Sequence, residues 1–437
     1  MIRRFTAAFW RDNPRPDERA LAEARAHDAP GVSGAERAQR AAFDFIEKLA
    51  RALHRYGYNA PNLEDALTAV SRRLGIRGEF FATPTAIFAT LEAKGAEDTF
   101  LIRVEPGRVN LDKLSRLDKL THDVAQGRVA PEDASRLIDE IRATPPRYRG
   151  KTSVLAAIIG SACSARFFGG GWREIVACAL IGCVTGLCAL VARRRAHLNV
   201  FEPVASFFAG LIACAAAVWI PPLSLFIATC GGLIILLPGL TVTTAINELA
   251  TQHLASGTAR MMSAAVLFLT IGFGLAVGLK TGMVIFAPPV EATSVPLPTW
   301  TVFVALLLAP LGFVMLFQAN PRDALSIIAI CVLAFGCARL GSQTLGIANG
   351  AFAGAFAVGV ASGLHSRWRD RPQLVTIVPG ILMLVPGSVG FRSITNIIAN
   401  DPVAGLQTAV TMIAIAVAIV TGLLLARVVV PRRSWSR

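Results

Sequence analysis

Leu236-Leu237-Pro238-Gly239-Leu240-Thr241-Val242-Thr243-Thr244-Ala245-Ile246-Asn247-Glu248 runs from the end of an apolar span straight into a polar segment that can still be helical. Proline removes a backbone donor and glycine tolerates dihedrals closed to other residues, so the stretch predicts a broken helix. At membrane depth such freed backbone is tolerated only where it is buried in protein or lines a wet cavity. A related stretch, Leu384-Val385-Pro386-Gly387-Ser388-Val389-Gly390-Phe391-Arg392-Ser393-Ile394, follows 148 positions later. Pro238, Gly239 and Ile246 fall on Pro386, Gly387 and Ile394. Paired breaks in corresponding halves point to a transporter's substrate site.

Charge is spread unevenly around these stretches. Residues 1–150 carry 25 Lys+Arg and 22 Asp+Glu, an ordinary soluble composition; residues 151–437 carry 18 and 7. The remainder therefore reads as a polytopic membrane domain. The net charge of +14 comes mostly from short loops between apolar spans. That placement fits membrane orientation rather than nucleic-acid binding, which needs a basic soluble face. All eight cysteines lie in apolar spans and none has metal-ligand spacing with histidine, so no metal and no cofactor is expected. No apolar h-region follows Arg3 and Arg4, so the first span is expected to act as its own insertion signal.

Residues 1–35 read as a disordered tail and 36–150 as a cytosolic α+β domain. Helical periodicity covers Ala35 to Leu53, and Asn62 is placed to cap a second helix. Strand-like runs follow at Glu79 to Phe88 and Thr99 to Val104, then two amphipathic helices, Leu111–Gln126 and Pro131–Ala143. The membrane part divides into about ten transmembrane helices: a first five-helix repeat over 151–280, an outer loop over 281–299, and a second repeat over 300–437. Arginines concentrate on the loops that an inside amino terminus would place in the cytoplasm, which predicts both termini inside. Five is odd, so the halves have opposite orientation. The first Pro-Gly break then ends a span over 222–238 on the cytoplasmic side, and the second ends a span over 373–390 on the outer side, as in a 5+5 inverted repeat. Glycine rows at Gly346, Gly350 and Gly354, at Gly274, Gly278 and Gly282, and at Gly182 and Gly186 predict close backbone packing, or a surface that slides in alternating access.

Charges near the spans are few, and each is a functional candidate. Thr244, Asn247 and Glu248 share a helical face, as do Arg392 and Asn396. A zwitterionic amino acid needs donors for its carboxylate and acceptors for its ammonium. The broken-helix ends with Thr241, Ser388 and Arg392 supply donors; Glu248, Asn247 and freed carbonyls supply acceptors. His253 is a candidate proton relay beside Glu248. The plainer alternatives are an interfacial Glu248 paired with Arg260 and an Arg392 anchored at the headgroups. Glu174 reads as interfacial. His54 with Glu64 and Asp65 could suggest acid–base chemistry in the soluble domain, though a surface role is the simpler account. No P-loop occurs, so ATP is not the expected energy source.

Three segments carry a resemblance to a known family: RYGYNAPNLEDALTAVSRRLG through RATPPRY in the soluble part, LLPGLTVTTAINELATQHLASGTARM, and LVPGSVGFRSI. The chain resembles the bacterial threonine/serine exporter family in its fused, two-half form. The resemblance implies a ten-span protein of the cytoplasmic membrane that exports threonine and serine by proton antiport. It implies the bilayer and protons as partners and leaves room for a homo-oligomer. The family's acidic position after the first Pro-Gly matches Glu248, where Asp is frequent. Relatives with the halves on separate chains are associated with dicarboxylate export, so succinate export is the alternative within transport. A membrane enzyme or sensor acting through the soluble domain is the alternative outside it.

Overall fold

The computed structural model describes residues 34–93, 96–105, 107–194, 200–286, 293–369 and 371–431. Nearly all of the tail expected over 1–35 lies outside them. The soluble part begins with α1 (Gly34–Arg55) and α2 (Ala60–Arg73). Next come β1 (Arg77–Ala82), β2 (Ala86–Ala93) and β3 (Ala96–Arg103), an antiparallel sheet in sequence order. Helices α3 (Leu111–Ala125) and α4 (Pro131–Ala143) complete it. Ile87, Ala89 and Leu91 alternate into a core with Phe45, Leu49, Leu63, Leu67 and Ile102, the period expected of a half-buried strand.

Two local expectations change here. The run Glu79 to Phe88 is two strands, not one. Pro84 cannot donate to a ladder, and Thr83 closes the turn by accepting from Ala86 N–H and donating to Ala86 O (3.0 and 2.9 Å). The cap of α2 is Asn59 rather than Asn62, because Pro61 sits in the first helical turn and the Asn59 side chain accepts from Asn62 N–H.

The membrane part holds α5 (Lys151–Phe167), α6 (Trp172–Arg194), α7 (Phe201–Trp219), α8 (Leu225–Gly232), α9 (Gly239–Ala250) and α10 (Leu254–Phe286). Then come α11 (Thr301–Leu316), α12 (Ala324–Leu345), α13 (Ile347–Arg369), α14 (Leu374–Leu382), α15 (Gly387–Ile398) and α16 (Pro402–Val429). Among the described residues seven segments are long and apolar enough to cross a membrane. They include 374–398, which contains the second break. The chain is a polytopic α-helical membrane protein. The loop expected over 281–299 starts later: α10 continues through Lys280 and Thr281 to Phe286, and Gly282 sits against Cys214 on α7 instead of breaking the helix.

Each Pro-Gly break interrupts helix, and the chain restarts as helix directly behind it. The eight residues of α8 rise only about 12 Å at 1.5 Å each, and the chain resumes as helix at Gly239. The second break behaves alike, with α15 resuming at Gly387. The backbone around the two breaks has the same geometry. Pro238 has φ −80°, ψ 35° and Pro386 φ −81°, ψ 35°. Val242 N–H bonds Pro238 O and Gly390 N–H bonds Pro386 O, both at 3.0 Å. Each broken element then turns a corner on a non-glycine residue in the left-handed region, Gln252 (φ 65°) and Asn400 (φ 64°), again 148 positions apart. Neighbours match too: α7 lies on α10 as α13 lies on α16, and α6 on α8 as α12 on α14.

The two breaks face each other. A methyl group built on Gly239 would stand 2.9 Å from Gly387 Cα and would collide with Val385 Cγ1. Other glycines serve as packing surfaces: Gly278 meets the Phe207 carbonyl on α7, Gly182 and Gly186 meet α5, and Gly350 meets α12. Gly346 does not belong to that row; it ends α12 at φ 88° with open space around it. Gly239→Val should therefore force the breaks apart and destabilise the protein by roughly 1–3 kcal/mol, the usual cost of overpacking. Gly336→Ala, where a Cβ meets nothing within 4 Å, should be neutral or stabilising. Thermal unfolding of the purified protein in detergent compares the two.

Candidate functional site

Helices α9 and α15 each begin at a glycine behind a proline, and neither has a side-chain cap. The first N–H groups of a helix have no partner within it and carry the positive end of its dipole. The breaks therefore bring two uncapped helix starts to one place. A cavity of about 630 Å³ opens beside them. Pro238, Thr241, Pro386, Gly387 and Ser388 line it, together with apolar residues of α5, α11, α12 and α13. Gly239 lies behind this wall, closed off by its contact with Val385. Ser164 and Arg339 also line the cavity, and sequence reasoning missed both. Arg339 sits in the apolar run Cys337-Ala338-Arg339-Leu340, so a charge inside a span was the available signal.

A second cavity, about 390 Å³, lies between the soluble domain and the membrane helices. Thr244, Asn247 and Arg260 line it from the membrane side, His54, Asn59 and Pro84 from the soluble side. Leu240 and Thr241 line both cavities, so the first turn of α9 is the wall between them.

Glu248 lines neither cavity. It is fully buried, and its two oxygens take four hydrogen bonds. Arg260 Nε reaches both at 3.0 Å, Ser256 Oγ donates at 2.8 Å, and Ala60 N–H donates at 3.1 Å. The last contact crosses from membrane part to soluble domain and completes the start of α2. Asn59 accepts from Asn62 and Leu63, Pro61 has no N–H, and Glu248 takes the remaining donor. His253 also crosses this seam: its Nε2 is 3.1 Å from Glu64 Oε2, while Glu64 Oε1 accepts from Ala82 N–H. Glu64 therefore has a docking role between domains.

Arg392 is exposed and stacks over the Phe226 ring at 4.5 Å. Neither it nor Asn396 lines either cavity, and the structure does not bring Arg392 to Glu248. Glu174, at the start of α6, is buried and accepts from Gly171 N–H and Ser224 N–H, tying that start to the cap of α8.

Comparison with known proteins decides the family. A threonine/serine exporter family model matches residues 44–282, and a second, described as threonine/serine exporter, ThrE, matches residues 302–429. The chain belongs to the threonine/serine exporter family. This is a family of transporters rather than enzymes. Among curated relatives, pheromone-regulated membrane protein 10 of Eremothecium gossypii is 27% identical over 88% of this chain and 56% of its own length. Those of Yarrowia lipolytica and Kluyveromyces lactis are 26% and 27% identical over 82% and 87% of this chain, covering 31% and 42% of theirs. The chain thus spans between about a third and just over half of these relatives. No solved structure matches it.

Two predictions follow from the seam of this threonine/serine exporter family member. Arg260→Ala leaves the Glu248 carboxylate buried without its cation, and should cost about 3–5 kcal/mol of stability. The double change with Glu248→Gln should recover part of that loss in the same unfolding assay. His54 is buried with Nε2 3.2 Å from the Thr83 carbonyl, so Nε2 carries the proton. Burial, and then the nearby Arg260 charge, hold its pKa below the ordinary imidazole value, partly offset by the Thr83 bond. The neutral ring is the one the folded protein accepts. Its stability contribution is complete above the usual value and is lost as pH falls through the lowered one. Unfolding midpoints measured from pH 7.5 to 5 should fall more steeply for the parent than for His54→Asn.

Proposed function

We propose that this chain is a secondary active exporter of threonine and serine, working by proton antiport across the cytoplasmic membrane of a bacterium, with both termini inside. The observation that carries the reading is the meeting of two uncapped helix starts, one from each break, at the wall of a cavity of about 630 Å³. Helix starts attract a carboxylate through free N–H groups and dipole. The carbonyls released at 234–237 and 383–385 can accept from an ammonium, and Thr241 and Ser388 can exchange hydrogen bonds with a hydroxyl. An amino acid with a hydroxyl side chain uses all three. The backbone match at a spacing of 148 residues supports reading the membrane part as ten helices in a 5+5 inverted repeat.

In this reading Leu240 and Thr241 gate between the two cavities, and Thr244 and Asn247 receive the substrate on the cytoplasmic side. Glu248 couples the proton through the seam. Ionised, it holds Arg260, Ser256 and the start of α2 together. Protonated, it loses the charge attraction to Arg260 and loosens the domain over the inner cavity. His253 is the neighbouring relay, itself held to Glu64. Arg392 and Asn396 serve the outer side of α15.

Uptake of labelled threonine into inside-out vesicles with an acidic interior tests the reading. Gradient-dependent accumulation, competed by serine and not by succinate, is expected. Competition by succinate alone would make the substrate a C4-dicarboxylate. Glu248→Gln should reach the membrane at normal levels and lose the gradient dependence; parental uptake would remove Glu248 from the coupling step.

A further inference from the structure

The sheet of the soluble domain has one face on its core and one face open. On the open face Phe81 pairs with Phe88 and Phe88 with Leu101, forming a row across all three strands. These side chains are 51%, 45% and 66% exposed, and the two rings stand 6.1 Å apart. Three adjoining large apolar groups in the open on a soluble domain mark a contact surface.

Their position says what they contact. The β1–β2 turn abuts the membrane helices: Pro84 lines the inner cavity together with Arg260 and Ser263 of α10. Ala82 N–H donates to Glu64, whose other oxygen meets His253 at the head of α10. The apolar row lies two residues back from that turn, about 7 Å along the strand. Below His253, α10 presents Leu254, Met262, Val266, Leu269 and Phe273 outward, an apolar stripe of the kind a helix turns to lipid. The far end of the open face is different in kind. Glu79 pairs with Thr90 and Thr90 with Thr99, and beyond them Glu92 pairs with Glu97. Charge follows the same gradient. Arg103 pairs with Ala86 at the turn end, whereas Glu92, Glu97 and Asp98 with Arg77 lie toward the other.

We propose that this sheet face rests on the bilayer, with the Phe81–Phe88–Leu101 row inserted among the headgroups of anionic lipid beside α10. An apolar row with Arg103 on its membrane side, and acidic residues held away from it, is the arrangement of an interfacial anchor. The soluble domain is then held at two places: by the Glu248 and Glu64 contacts on protein, and by this row on lipid. The inference is independent of the transported substrate.

Spin labels placed by Leu101→Cys and, separately, Glu97→Cys in the full chain test it, in bilayers containing phosphatidylglycerol. Signal from the partly exposed native Cys183, Cys188 and Cys337 is measured on the labelled parent and subtracted. Label at 101 should relax more strongly with dissolved oxygen than with a water-soluble nickel chelate, and label at 97 the reverse. Phe81→Ser with Phe88→Ser should shift position 101 toward the nickel chelate. Both positions favouring the chelate would overturn the proposal. So would a position 101 closed to both reagents with spin–spin broadening, which would place a second copy of the chain on the row.

Discussion

Close approach of Gly239 and Gly387 is the contact on which the membrane part depends. Two helices that stop and restart in the interior leave four sets of backbone groups with no helical partner. They can be placed there only if the restarting ends shield one another and share a cavity. A side chain at Gly239 would occupy the space that Gly387 and Val385 fill. The cavity wall, the two uncapped helix starts and the partition made by Leu240 and Thr241 all follow from that one approach. The corners at Gln252 and Asn400 then return each chain segment along its own long helix, α10 and α16.

The second organising contact is electrostatic and lies on one side only. The position matching Glu248 in the second half is Asn396, and that matching Arg260 is Thr408. The two halves share backbone geometry, but only the first carries the ion pair. The asymmetry matches the position of the soluble domain. Ala60, Glu64 and His54 all approach the first half near Glu248 and Arg260, while Leu111 N–H and Tyr148 hold Phe317 and Gln318 of the second. The domain therefore bridges both halves on one face, and its seam with the first half holds the buried carboxylate Glu248.

Much of this was legible in the residues. Proline and glycine at the breaks, their spacing, and the change in charge at residue 150 are local signals, and each corresponds to an element that is present. The helical restart behind each break was not legible. Hydropathy sees Leu225 to Leu237 as one apolar run, and nothing local says that the polar helix after it stays inside the protein. Glu248 shows the same limit. Its spacing with Asn247 and Thr244 suggested a shared face, but its partners Ser256, Arg260 and Ala60 come from a second helix and a second domain. Arg339 is a like case: its charge is plain in the sequence, but α12 runs past it to Leu345, and only the fold turns it to the cavity.

The hydrogen bond between Ala60 and Glu248 joins residues 188 positions apart. A ribosome delivers the soluble domain first, and domains fold in that order during synthesis. For that interval the opening N–H of α2 has only water to bind, and the helix is finished only after α9 and α10 are in the membrane. Docking is thus a record of biogenesis: a seated α2 means that the first half has been inserted and that its carboxylate has met its arginine.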